Sequence, residues 1–576
     1  MEAADEERPL LHLQPSRQDV GSEYTSDGSV DMKGHPALKR NTGNWRACYM
    51  ILGVEFCECV SFFAVATNLV TYLTTVLHES RVTAAQNVSA WVGACFLAPL
   101  IGAFLADTYL GRYWTIVVSL PVSTIGMLVL TVSASVPTSY YRGDLHRTVV
   151  YLAIYLSAFG NGGIKPCVTA FGADQFDSGD PMELEKKGSF FNWLYCLISI
   201  GSLLSSTVLV WLQDNGGWGI SFAVPTVLMI LCLPVFVGGS RVYRFRTPRV
   251  SPFTSICQVV VATVRKWHVQ LPDDISLLYE LTSSSSAAES SQKIQHTNQF
   301  RSLDKAAVVL PPLDKTCKML PMCSWSLCTV TQVEELKTLV RIFPVWASFV
   351  IFYAVTGQMA STIIEQGMLM DNRVGPFAIP PASLSIVGVL SSLIWVYIYE
   401  TMLVPLSRRY TGKAKGFSQT QRLGIGFALS MLNMVYSAIL EMKRLAIAQA
   451  SGLAGQNVPV PMSILWQAPS YVLNGAAVVF AGIGMLEFFY NQAPYSMKSL
   501  CAAFAQLAVA SGAYFNTLIF CVVAVATTQG GEPGWIPDNL NEGHLDYFFW
   551  MMAALSLLNL VQFLHYSRQY SEKTTS

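Results

Sequence analysis

Residues Trp218–Gly239 read WGISFAVPTVLMILCLPVFVGG and carry no charge anywhere along their length. At 1.5 Å per helical residue such a run covers about 33 Å, enough to cross the hydrocarbon core of a bilayer. Runs of this kind recur along the chain. Twelve spans are expected near residues 46–76, 84–106, 113–136, 148–169, 189–212, 218–239, 337–361, 380–406, 418–440, 463–489, 499–527 and 546–566. Hydrophobic residues make up 52% of the 576 and charged residues only 13%, about half the charged share of soluble domains. The chain reads as an all-α membrane protein.

Working outward from this sixth span, the polar stretch 241–335 splits the pattern six plus six. It carries the basic residues Arg241, Arg244, Arg246 and Arg249 and the run Ser283–Ser286. The expected organisation is an N-terminal tail over 1–42, a first six-helix bundle over 43–240, a linker over 241–335, a second bundle over 336–567 and a C-terminal tail over 568–576. Inside the linker, residues 251–267 are apolar but too short to span, so they are read as a lateral helix at the membrane interface. Arg112, Lys186, Lys187, Arg408, Arg409, Lys413 and Lys415 follow even-numbered spans, whereas the loops QDNGGWG and TTQGGEPGWIPDNLNEGHLD contain no Lys or Arg. The positive-inside rule then puts both tails in the cytosol.

The 37 basic and 37 acidic residues balance, so nothing points to nucleic acid. The 13 cysteines show no disulfide framework, and Cys57 and Cys59 lack the second pair that a structural zinc site needs. No metal or organic cofactor is expected. No nucleophile with a base and no phosphate-cradling glycine loop is present, so an enzyme is not expected either.

Ionisable groups are costly at membrane depth and should face a wet cavity and one another. The clear cases are Glu55 and Glu58, three apart on one face of span 1, and Lys165 in span 4, four residues from Asn161 and so on its face. Two such faces meeting across a cavity would let a proton and a substrate carboxylate compete for one ammonium. Gln358 in span 7 and Trp466 and Gln467 in span 10 are further candidates for the cavity lining.

Several motifs carry a resemblance. GAFLADTYLGR, Gly102–Arg112, is similar to the loop between spans 2 and 3 of the major facilitator superfamily, which gives Asp107 and Arg112 an expected gating role. FGADQFD (Phe171–Asp177) followed by FFNWLYCLISIGSL (Phe190–Leu203) resembles the paired signature of the proton-dependent oligopeptide transporter family. LEFFYNQAP (Leu486–Pro494), RIFPVW (Arg341–Trp346) and GNWRAC (Gly43–Cys48) extend the likeness to its plant nitrate and peptide branch. The resemblance implies a major facilitator fold, with two six-helix bundles around a central cavity, and alternating access driven by a proton gradient. It also implies that Glu55 and Glu58 are the proton-linked acids and that Lys165 is the family's span-4 lysine.

Two departures stand out. The family pattern in span 1 is Glu-x-x-Glu-Arg or Lys, whereas Cys59 follows Glu58 here; the family's span-10 Glu is Val478 in GAAVVF. Losing one cation and one acid leaves the core sum at minus one, the signature of a rewired site. Phe62, Phe63 and Phe96 stand where peptide-binding members usually have Tyr, and Ser199 stands for an Asn. A dipeptide carboxylate has Lys165, but its amine has no acid at 478.

The expected function is proton-coupled import of di- and tripeptides or similar zwitterions. A carrier of nitrate, a hormone or another small anionic or amphipathic metabolite with altered coupling is the alternative, and a non-transporting sensor is a third. Expected partners are the small-molecule substrate, protons and the lipid bilayer. Glu6–Leu11 resembles an acidic dileucine signal for the vacuolar membrane, with the plasma membrane as the default.

Overall fold

The computed structural model describes residues 24–25, 29–136, 143–177, 180–245, 252–271, 278–279, 296–309, 325–411, 417–485, 488–489, 498–528 and 534–567. Among these, eleven helices are long and apolar enough to cross a membrane. Span 4, Gly143–Ala173, runs 31 residues and completes the set of twelve. Its apolarity is diluted by Asn161, Gly162, Gly163 and Lys165. In lipid every backbone group must be paired within the segment, which is why the apolar runs are helical throughout.

Each expected span has its helix, though several outrun the expected ends. Span 7 begins at Val330 and, through a tight turn at Gly357–Ala360, continues as Thr362–Met368. Its start is fixed by a reciprocal cap between Thr329 and Gln332. Its first turns carry Glu334 and Lys337, which pair at 2.7 Å, and Lys337 also meets Asp304 of the linker at 2.7 Å. Span 9 runs Gln419–Ala450, because Glu441 and Arg444 neutralise each other within the helix at 2.6 Å. Hydropathy ends a span at such charges; pairing lets the helix go on. Spans 2, 5, 8 and 10 each contain a π-helical stretch, at Ala106–Leu110, Ser205–Leu209, Tyr399–Leu403 and Val478–Ile483. Such stretches gather at functional positions.

Small residues set the packing that presents Lys165. A Cβ on Gly102 of span 2 would collide with the carbonyl oxygen of Gly162, and one on Gly160 would collide with Ser123 of span 3. Spans 2, 3 and 4 therefore touch backbone to backbone. In the first bundle span 1 packs on spans 4, 5 and 6; in the second, span 7 packs on 11 and 12, and span 9 on 10 and 12.

Direct polar contacts between the bundles gather toward the end of the molecule away from the linker. Asn516 of span 11 donates to Ser89 of span 2 at 2.9 Å. Arg81, at the start of span 2, donates to the Asp538 carbonyl at 2.8 Å and to Asn457 at 3.4 Å. At the other end the linker contributes a lateral helix, Pro252–Arg265, and the turn Arg301–Ala307, both packed on the first turns of span 7.

Candidate functional site

Span 1 places Glu55, Glu58 and Cys59 in the interior, at 4%, 0% and 3% exposure. Lys165 of span 4 reaches across to Glu58, with Nζ 3.6 Å from Oε1. The same ammonium lies 3.7 Å above the Phe62 ring and 5.7 Å from that of Phe96. Phe62 stacks on Trp91 with centroids 5.8 Å apart and meets the edges of Phe63 and Phe96 at 5.2 and 6.3 Å. One cation is thus held between a carboxylate and an aromatic wall, by an ion pair and a cation–π contact.

Cys59 takes up what remains. Its thiol donates toward Glu55 Oε1 at 3.9 Å and Glu58 Oε2 at 3.7 Å. Glu55 Oε2 and Glu58 Oε1 are buried with no hydrogen-bond partner among the described residues. These two oxygens therefore keep acceptor capacity that the described contacts do not use.

Of the other expected residues, Asn161 accepts from Ser123 of span 3 at 2.6 Å, so its amide ties spans 3 and 4 together. Gln358 sits at the interruption of span 7, donates to Asn516 at 2.6 Å and accepts from Thr362 at 2.9 Å. It continues the bridge to Ser89 and so links the bundles. Gln467 is fully buried and donates to the Ile363 carbonyl at 2.8 Å and to Gln366 at 2.9 Å, joining spans 7 and 10. Trp466 is 54% exposed, and its ring lies 5.9 Å from Lys443 of span 9, apart from the Lys165 cluster. Arg112 pairs with Asp174 and donates to the Ala170 carbonyl at 3.4 Å, both at the end of span 4. The backbone of Asp107 lies in the π-helical stretch Ala106–Leu110, and its side chain lies outside the described residues.

The sequence reading missed Glu365. It is fully buried in the segment Thr362–Met368, and neither of its carboxylate oxygens has a hydrogen-bond partner among the described residues. Arg81 and Asp538 are the charges that act on it. The signal was an acid in the apolar run STIIEQG, passed over because span 7 was expected to end at 361. Beside it, Gln366 donates to Glu441 at 2.7 Å, and Arg444 donates to Asn541 at 2.5 Å and to the Leu540 carbonyl at 3.0 Å.

At the linker end the tail is clamped to the loop before span 5. Lys39 lies 3.2 Å from Asp180 and 3.4 Å from Asp177. Burial opposes the Lys39 charge, but the hydrogen bonds to Asp180 and Asp177 outweigh it and raise its pKa above 10.5. The hydrogen bond from Lys39, followed by that from the Met182 amide, lowers that of Asp180 below 3.8.

With the geometry in place, comparison with known proteins is direct. The POT family model matches residues 113–536. Arabidopsis thaliana NRT1/PTR FAMILY 8.3 is 49% identical, with 99% of each chain covered. NRT1/PTR FAMILY 5.3 of the same plant is 37% identical over 96% of this chain and 95% of its own. Among solved structures, an auto-inhibited POT family peptide transporter superposes with a TM-score of 0.67 at 21% identity, covering 91% of this chain and 97% of that one. A POT family transporter in complex with 5-aminolevulinic acid gives 0.62 at 14% identity, with coverages of 92% and 98%.

Proposed function

The chain belongs to the POT family of membrane transporters, and from that premise we propose that it is a proton-coupled carrier importing small solutes that bear a carboxylate, di- and tripeptides first among them. The observation that carries this reading is the position of Lys165 between Glu58 at 3.6 Å and Phe62 at 3.7 Å. A proton arriving on Glu58 cancels the charge that occupies Lys165, and the substrate carboxylate then takes its place. When the substrate leaves, Lys165 returns to Glu58 and the proton is released. Because the two binding events share one ammonium, each raises the affinity of the other by the same factor.

Alternating access follows from the two ends. The Ser89–Asn516–Gln358 bridge and the Arg81 contacts act as the gate away from the linker. The Arg112–Asp174 pair braces spans 3 and 4 at the linker end. The basic loops assign the linker end, with both tails, to the cytosol, in the plasma or the vacuolar membrane.

One observation favours a second reading. Val478 leaves span 10 without the acid that would receive a peptide amine, and Phe62, Phe63 and Phe96 give the cavity an apolar wall. An amphipathic carboxylate without an amine fits that lining. Competition separates the two readings: uptake of a labelled dipeptide into oocytes is measured at acidic and neutral external pH, against an excess of the unlabelled dipeptide or of its deaminated analogue. Acid-stimulated uptake blocked only by the intact dipeptide supports peptide import. Block by the deaminated analogue, or no dipeptide uptake with the protein at the surface, supports the second reading.

A further inference from the structure

The lateral helix Pro252–Arg265 has two faces. Val259 and Ala262 are fully buried against Val333 and Leu336, near the start of span 7. The opposite face presents Cys257, Val260, Val264 and Trp267, spaced at helical intervals and exposed, with Val264 at 66% and Trp267 at 60%. Arg265 binds the Trp325 carbonyl at 3.4 Å, which brings a second exposed indole to the same region. An apolar stripe on a helix of 14 residues, ending at tryptophans, needs an occupant.

We infer that this face rests in the interface of the bilayer and recognises anionic phospholipid. Three observations choose a membrane over a soluble partner. The helix is anchored on Val333 and Leu336, the turns where span 7 enters its apolar stretch, so it lies at the level of the headgroups. Its indoles have the amphipathic character that favours this depth. Its rim is cationic: Lys305 donates to the Trp267 carbonyl at 2.6 Å and lies 5.3 Å from the Trp267 ring, and Arg265 is exposed beside it. The nearby acid Asp304 is turned inward and consumed by Lys337 and His296 at 2.7 and 3.0 Å. Short apolar faces of this kind bind lipid through buried area combined with attraction to anionic headgroups.

The test uses the full-length protein and is independent of substrate. A nitroxide is placed at Val264→Cys, with exposed native cysteines replaced, and as an aqueous control at Lys33→Cys. Each protein is reconstituted into vesicles of phosphatidylcholine alone or with phosphatidylserine, and collisions with oxygen and with a water-soluble nickel chelate are compared. The expected result is a several-fold higher oxygen-to-nickel ratio at 264 than at 33, rising further with phosphatidylserine. Arg265→Glu combined with Lys305→Glu should abolish that rise. A ratio at 264 equal to that at 33 in both vesicles overturns the inference. So does a label shielded in detergent and exposed on dilution, which would assign the face to a second copy. Insertion that ignores phosphatidylserine overturns the anionic recognition.

Discussion

Lys165 Nζ stands 3.6 Å from Glu58 Oε1, a contact between a lysine side chain that is 26% exposed and a fully buried glutamate side chain. The pair is asymmetric: the lysine side chain is partly exposed and the glutamate side chain is not. In the mechanism proposed above, the substrate carboxylate takes the Lys165 side of the pair and the proton takes the Glu58 side. Removing one partner of a buried pair strands the other at a cost of roughly 3–5 kcal/mol, which makes the pair expensive to mutate singly.

Lys165→Ala is therefore expected to reduce uptake to background while the protein still reaches the membrane. Adding Glu58→Gln to it should recover thermal stability without recovering transport. Uptake and melting temperature of the single and double variants, measured side by side, check this; normal uptake by Lys165→Ala removes Lys165 from the site.

Cys59→Arg restores the family's cation beside two acids that now share one thiol at 3.7 and 3.9 Å. Span 5 limits the room, since a Cβ on Gly201 would lie 3.2 Å from that of Cys59. The arginine must extend toward the carboxylates and hold them ionised. The expected outcome is a changed pH profile of uptake with little change in abundance, and an unaltered profile would reduce Cys59 to packing.

The architecture and part of the site were legible in the sequence for one physical reason: lipid forbids unpaired polar groups, so apolar length reports helices and an intramembrane charge reports a cavity. Glu55, Glu58 and Lys165 were found by that logic, and the structure brings Glu58 and Lys165 together with Phe62 and Phe96. The logic fails where charges cancel. Glu334 with Lys337 started span 7 too late and Glu441 with Arg444 ended span 9 too early on hydropathy alone; Glu365 was hidden at the other end of span 7, beyond the turn at Gly357–Ala360. For Asn161 helical spacing gave the face but not the contact its side chain makes, a hydrogen bond accepted by its amide oxygen from Ser123.

Glu365→Leu should separate stability from function. A fully buried carboxylate with no donor among the described residues is held at a cost of some 1–3 kcal/mol or more, so the leucine variant is expected to melt higher and to transport more slowly. Thermal unfolding with initial uptake rates checks both; a variant that is less stable and equally active contradicts the expectation.

Gly102→Val places a branched side chain against the Gly162 carbonyl. Overpacking costs about 1–3 kcal/mol, and here it forces span 2 from the helix that carries Lys165. Reduced surface expression, together with lost uptake by the fraction that arrives, is expected; the paired change Gly162→Ala should not rescue it.

The clamp of Lys39 on Asp180 should be silent near neutrality. Asp180 has its pKa lowered, so its contribution is present above 3.8 and fades as pH falls through the lower folded value. Lys39 has its pKa raised, so its contribution is present below 10.5 and fades as pH rises through the higher folded value. Lys39→Ala should leave the pH profile of uptake unchanged between these limits, and a shifted profile would move part of the proton response to the tail.

The most direct test reads proton-driven accumulation and exchange separately in proteoliposomes, using a substrate established by the competition assay. Glu58→Gln removes the acid that competes for Lys165 but leaves Lys165 in place, so exchange of labelled for unlabelled substrate should persist while accumulation driven by a proton gradient is lost. Accumulation at the wild-type rate by Glu58→Gln would show that the proton travels elsewhere and would contradict coupling through the Lys165–Glu58 pair.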